Sequence, residues 1–328
     1  MRKFLKGLGV VSVMIIMAVA AVYSSNSYFA NIEASDTAIS SDLTSTILSY
    51  LDDVDYEDQV REENNQSNSG ILINGSTGGD GSSSDDLVVP EFNSGLEAYK
   101  YALNKYMNAK SIIVETAGSA DTAIGKQYIK AVRQRNSSGH IYFTAISYSS
   151  FVQVAKEVYY NGKIFMQRNS SIVSSSLMPT YDGNWTQSTS YISAIKAYKQ
   201  KYGIGPDELN YIVSKDTILS DTFDANGWAV SLQSSTNYTF TIKLEPNKAG
   251  EKYKYNVKEN AGAKDFPSFM KMELEVTINS QGNFVQLVNR DSYSLTVKGV
   301  NSDVSTEVTD KFKKIDNGNF DVIVPNGL

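Results

Sequence analysis

The chain has 328 residues, 41% of them hydrophobic and 20% charged, enough for one domain with an ordinary core once the ends are set aside. It has no cysteine, which excludes a disulfide framework, a thiolate metal site, a cysteine nucleophile and a lipid-modified cysteine anchor. The net charge of −6 is uneven: residues 31–90 carry thirteen acids against Arg61 alone, whereas residues 1–30 and 91–328 each carry +3 with no clustered basic stripe to invite nucleic acid.

Arg2, Lys3 and Lys6 precede an uncharged run from Leu8 to Val22, the pattern of a secretory signal. Ser24 to Ser27 cut the run short, and Ser25-Asn26-Ser27 offers a small-x-small cleavage site. A cleaved signal and an uncleaved membrane anchor both fit residues 1–30, and both place the rest of the chain outside the cytoplasm. Residues 31–90 read as an acidic, Gly/Ser-rich tether. They hold one short amphipathic stretch (Leu43, Ile47, Tyr50, Leu51) that is too short to be a stable helix alone.

The third segment, 91–328, carries the folded pattern. Leu96, Tyr99, Leu103, Tyr106 and Met107 recur at helical spacing behind Ser94, a fitting N-cap. Strands are expected at 111–116, 126–134, 141–148, 151–160 and 163–167, with Asn136-Ser137-Ser138-Gly139 and Asn161-Gly162 as turns. Tyr191, Ile195, Tyr198 and Tyr202 return to helical spacing, and Pro206 is placed to open a second helix bearing Leu209, Ile212 and Val213. Period two then resumes in three runs: Trp228, Val230, Leu232; Tyr238 to Leu244; and Met270, Met272, Leu274, Val276, Ile278. Ser280-Gln281-Gly282-Asn283 turns the chain into 285–297, and Val304 to Phe312 suggests a last strand. The expected fold is therefore α+β: a large curved antiparallel sheet, with an N-terminal helix and mid-chain helices packed on its concave face.

Catalytic chemistry has little to draw on. His140, the only histidine, sits at a turn with no nucleophile-elbow context, and one histidine without cysteine leaves no adequate zinc set. Glu273 and Glu275 share a strand face with Lys271 and Thr277, as expected of a solvated face. No catalytic residue, metal or cofactor is expected, and the chain does not read as an enzyme. Aromatic and methionine positions are the more informative candidates. Tyr181, Trp185 and Tyr191 cluster between the two halves of the domain, and Met166, Met178, Met270 and Met272 accompany the strands. With Ile195 these form the expected ligand-binding set, lining a cavity between sheet and helices. The same residues also suit plain core packing, or an exposed face for a glycan or protein partner.

The Leu96–Met107 helix, the Val158–Phe165 hairpin, Trp185 soon after it and the long hairpin around 279–283 together resemble the lipoprotein-carrier superfamily, the LolA-like and LppX/LprG-like envelope proteins. The resemblance spans roughly residues 92–315 and implies an open half-barrel around a hydrophobic cavity that holds a lipid or other amphiphile. The absent cysteine departs from the LppX/LprG pattern, so lipid anchoring is not implied. The expected partners are an amphiphile, the membrane through the N-terminus if uncleaved, and a cell-wall or protein partner in the alternative reading.

Overall fold

The computed structural model describes residues 90–122, 125–148, 153–161, 165–172, 185–187, 194–297, 299–316, 318 and 320–325. The expected targeting segment, all of the expected tether but Pro90, Met178, Tyr181 and Tyr191 lie outside them.

Helix α1 (Gly95–Asn108) begins where the sequence places it. The Ser94 hydroxyl accepts from the Glu97 amide, and the Glu97 carboxylate accepts from the Asn93 amide, so two otherwise orphaned donors are satisfied. Its buried face is Ala98, Tyr99, Ala102 and Tyr106. The next strands are β1 (Ser111–Thr122), β2 (Gly125–Arg135), β3 (Ile141–Tyr148), β4 (Gln153–Tyr160), β5 (Phe165–Ile172) and the short β6 (Thr186–Gln187). After α2 (Ala194–Tyr202) come β7 (Ile218–Asp221), α3 (Ala225–Ser234), β8 (Tyr238–Leu244), α4 (Pro246–Ala249) and α5 (Tyr253–Ala261). The long strands β9 (Ser268–Ile278), β10 (Phe284–Val297) and β11 (Val300–Asp316) close the order.

All eleven strands join one curved sheet in the order β6-β5-β4-β3-β2-β1-β11-β10-β9-β8-β7, antiparallel at every described pair. The sheet stays open, its edges being β6 and β7. The α+β reading with a large antiparallel sheet thus holds. Strand alternation gives it two unlike faces. One is covered by α1, α3 and α5 over β8–β11 and β1, where Trp228, Tyr99, Phe240, Leu274, Val276 and Leu287 are among the core residues. The other carries Arg290, whose guanidinium reaches Glu275 at 3.2 Å and Glu307 at 2.9 Å. This is the solvated polar face expected around Glu273 and Glu275.

Three expectations are corrected. Trp228, Val230 and Leu232 lie in helix α3, not in a strand, because the Asp224 carboxylate caps the Asn226 and Gly227 amides and starts a helix. Trp228 then points to the core while Val230 is 64% exposed, so the apparent alternation was a coincidence of three positions. Pro206 opens no helix. Residues 203–217 run as an irregular strap, and Gly203 at φ +75° ends α2 against the Lys252 carbonyl, an approach that leaves no room for a Cβ. Finally, the run Met270 to Ile278 is not an unbroken alternation. Pairing passes from Ser292↔Lys271 to Tyr293↔Phe269, so a bulge at Met270 turns Phe269 inward and Met270 outward.

Candidate functional site

The covered face is not uniformly apolar. Across its middle runs a buried polar layer supplied by four adjacent strands and the 203–217 strap. Arg133 of β2 stands directly across from Val114, and the next residue inward on β1, Thr116, pairs with Asp310 of β11. The Thr116 hydroxyl donates to Asp310 Oδ1 at 2.5 Å, Asn289 Nδ2 donates to Oδ2 at 3.3 Å, and Arg133 Nη2 lies 3.5 Å from Oδ1. Arg133 also donates to the Glu208 carbonyl at 3.3 Å. Burial alone would lower the Arg133 pKa, but Asp310, followed by the nearby tyrosines, holds it above its ordinary value. A buried pair of this kind adds little net stability, yet losing one partner strands the other charge, so its main effect is to fix position.

The layer continues towards α1. Arg135 pairs with Asp207 at 2.7 Å and donates to the Tyr106, Met107 and Ala109 carbonyls, capping the C-terminal end of α1. The Tyr106 hydroxyl donates to the Asp207 carbonyl at 2.5 Å. On the β10 side the Tyr211 hydroxyl donates to Asp291 Oδ2 at 2.6 Å. Burial raises the Asp291 pKa, and the Tyr211 hydrogen bond only partly opposes it. Burial likewise drives the Tyr211, Tyr253 and Tyr293 hydroxyls upward, with Asp291 adding to each, so all three are neutral donors in water of ordinary pH.

Beyond this layer lies a second, smaller apolar cluster on the same face: Val158 with Tyr198 and Tyr202 of α2, and Phe143 and Tyr160 at its margin. Lys156, two residues before Val158 on β4, lies under α2. Its amine is 3.7 Å from the Tyr202 ring centroid and donates to the Tyr198 hydroxyl at 3.3 Å. Burial, followed by repulsion from Lys201, lowers its pKa to about 7, against a smaller opposing pull from Glu259. Lys199 of α2 pairs with Glu208, tying the helix to the strap. Among the described residues the layer therefore separates two clusters, one under α1, α3 and α5 and one under α2, which itself packs against α5.

The anticipated site residues are divided by this geometry. Met272 is 2% exposed in the filled half, and Met270 is 55% exposed at the bulge. Met166 and Trp185 lie on the opposite, outer face. Met166 pairs with Tyr159, and Tyr159 packs with Tyr142, Val322, Phe320 and Trp185. The Arg168 guanidinium stacks on Trp185 at 4.5 Å and binds Glu157 at 2.6 Å, and Glu157 in turn accepts from Tyr142 at 2.9 Å. Ile195 is in the first turn of α2. Strand parity and the bulge send Met166, Trp185, Met270 and Met272 to different places. His140 is partly buried just before β3, with its ring edge-on to Tyr159 at 6.5 Å.

The polar layer itself went unforeseen. A signal existed: Arg133 and Arg135, and Asn289 and Asp291, occupy alternate positions of strands whose neighbouring inward positions, Ile129 and Ala131 or Leu287 and Tyr293, are apolar. Only the strand register brings them together. Compared with known proteins, the chain matches no family model and no curated relative.

Proposed function

We propose that residues 91–328 work outside the cytoplasm as a non-catalytic binding domain for a lipid or other amphiphile held between the sheet and α2. The observation that carries this reading is the division of one covered face, among the described residues, into a large core and a separate cluster under α2, with a charged, tyrosine-rich layer between them. An amphiphile needs apolar wall and polar groups side by side. Phe143, Val158 and Tyr160 offer the first, and Lys156, Tyr198 and Arg133 the second. Binding would come from apolar burial without covalent chemistry. The element order also supports it: a helix, a meander through β6, mid-chain helices and returning strands in an unclosed sheet follow the plan of the LolA-like carriers that the sequence resembles. Fold alone does not assign a ligand, so the test is chemical. Native mass spectrometry of the protein purified from the exported fraction is expected to show a lipid-mass adduct. Lipid-free protein that also takes up no phosphatidylglycerol on mixing contradicts the reading.

One observation favours a second reading, a surface module for a glycan or protein partner. Trp185 belongs to the outer face, beside Arg168 and Tyr159, not to the covered one. Under that reading Trp185→Ala abolishes glycan-array or partner binding. Under the first it leaves lipid uptake unchanged.

A further inference from the structure

Asp291 is the carboxylate that the polar layer leaves half used. The residue is buried, and its Oδ2 accepts from the Tyr211 hydroxyl, but its Oδ1 is enclosed without a hydrogen-bond partner. Thr306 stands directly across from it on β11, and the Thr306 hydroxyl is likewise enclosed and unpartnered. Two polar atoms buried on paired positions, and out of normal hydrogen-bond reach of each other, are costly to leave unserved. Asp310 shows the contrast: Thr116, Asn289 and Arg133 all attend to it. Arg133 is thereby committed, and among the described residues no cation pairs with Asp291.

Aromatic rings close a circuit around this carboxylate. The Tyr211 ring, from the strap, lies 5.8 Å from that of Tyr253 at the start of α5. Tyr253 stacks on Phe269 of β9 at 5.8 Å, and Phe269 meets Tyr293 of β10 edge to face at 5.5 Å. Both ends of the chain return to Asp291: Tyr211 through its hydrogen bond, and Tyr293 from two residues along the same buried strand face. The bulge at Met270 is what sets Phe269 opposite Tyr293 and completes the circuit. Ring faces carry negative π-density, and an ionised carboxylate oxygen can only accept, so everything gathered here favours a positively charged donor.

We propose that the Tyr211–Tyr253–Phe269–Tyr293 circuit around Asp291 is a binding site for an organic ammonium ion that carries N–H donors. Its N–H groups reach Asp291 Oδ1 and the Thr306 hydroxyl, the two atoms that the fold leaves unserved, while its charge rests against the aromatic rings. A neutral alcohol supplies a hydrogen bond but leaves the buried carboxylate uncompensated, and an anion is repelled by it. Tyr253 is the partly exposed member of the circuit, so the approach is from the α5 side. This site uses no residue of α2 or β4, so it stands or falls independently of amphiphile binding under α2.

Methylammonium is the probe, since it joins N–H donors to a methyl reporter in the smallest space. Proton NMR of methylammonium chloride mixed with the full chain should show the methyl resonance broadened and moved upfield by the ring currents of the circuit. Methanol, its neutral counterpart in size, should show neither change. Asp291→Asn keeps an oxygen for the Tyr211 hydroxyl while removing the charge, and should weaken methylammonium binding by about tenfold or more. Thr306→Val should weaken it by about threefold to tenfold, and decides the matter if circular dichroism shows the Asn variant unfolded. Three results would overturn the proposal: no response to methylammonium, an equal response to methanol, or undiminished binding by the folded Asn variant or, in its place, by Thr306→Val. Any of them would mean that Asp291 and Thr306 are served by ordered water only.

Discussion

The two halves of the covered face share the same strand pattern but are finished differently. Over β8–β11 and β1 the alternation meets α1, α3 and α5, and large side chains such as Trp228, Tyr99 and Tyr106 are fully buried there. Over β3 and β4, among the described residues, the same alternation meets α2 through Val158, Tyr198 and Tyr202, with a lysine amine among the rings. The first half is what makes the domain fold. Among the described residues the second is held by Val158, Tyr198 and Tyr202 and by the charged contacts of Lys156, Lys199 and Lys201, which makes α2 the element expected to open first. The buried Arg133–Asp310 layer marks where one regime gives way to the other.

That contrast can be broken in order of severity. Trp228→Ala removes a fully buried indole from the filled half and should cost about 3–5 kcal/mol in urea denaturation, with all probes of the domain moving together. Asp310→Ala strands Arg133 inside the protein and should cost about 3 kcal/mol, whereas the paired change Arg133→Met with Asp310→Leu should recover much of that loss. Such a recovery would show that the layer fixes position more than it stabilises.

A pH series sharpens the contrast further. The closed state holds the Lys156 pKa at about 7, while the lifted or unfolded state returns it to the ordinary 10.5. Between those values the open state binds a proton that the closed state lacks, so closure strengthens as pH rises through that window and is weakest below it. Denaturation midpoints and α2 amide exchange should both show this trend, and Lys156→Met should flatten it. The smallest effect belongs to the outer face: Glu275→Gln, in the half-buried Arg290 cluster, should change stability by less than about 1 kcal/mol.

Much of the architecture was legible because it is written locally. Ser94 and Glu97 announce α1, and the Asn279 side chain, accepting from the Gln281 and Asn283 amides at 3.0 Å, fixes the β9–β10 turn with Gly282 at positive φ. Where the reading failed, the deciding interaction was distant or the pattern was too short. The Asp224 cap outweighs three alternating apolar positions, and the 203–217 strap is set by Arg135 and Lys199 reaching from other elements to Asp207 and Glu208. The unrecognised bulge at Met270 moves one expected site residue from the interior to the surface. Of the candidate site, tyrosines 198 and 202 were placed correctly on a helix, but their partner Lys156 carries no sequence signature. A lysine on a half-buried strand reads as solvated until its register and the covering helix are known.

Hydrogen exchange on the full chain, with and without phosphatidylglycerol, tests the central claim most directly. In the free protein α2 amides should exchange far faster than those of α1 and β10, and added lipid should slow α2 selectively. If α2 is as protected as α1 in the free protein and lipid leaves it unchanged, the seam beneath it is ordinary core and the amphiphile reading is wrong.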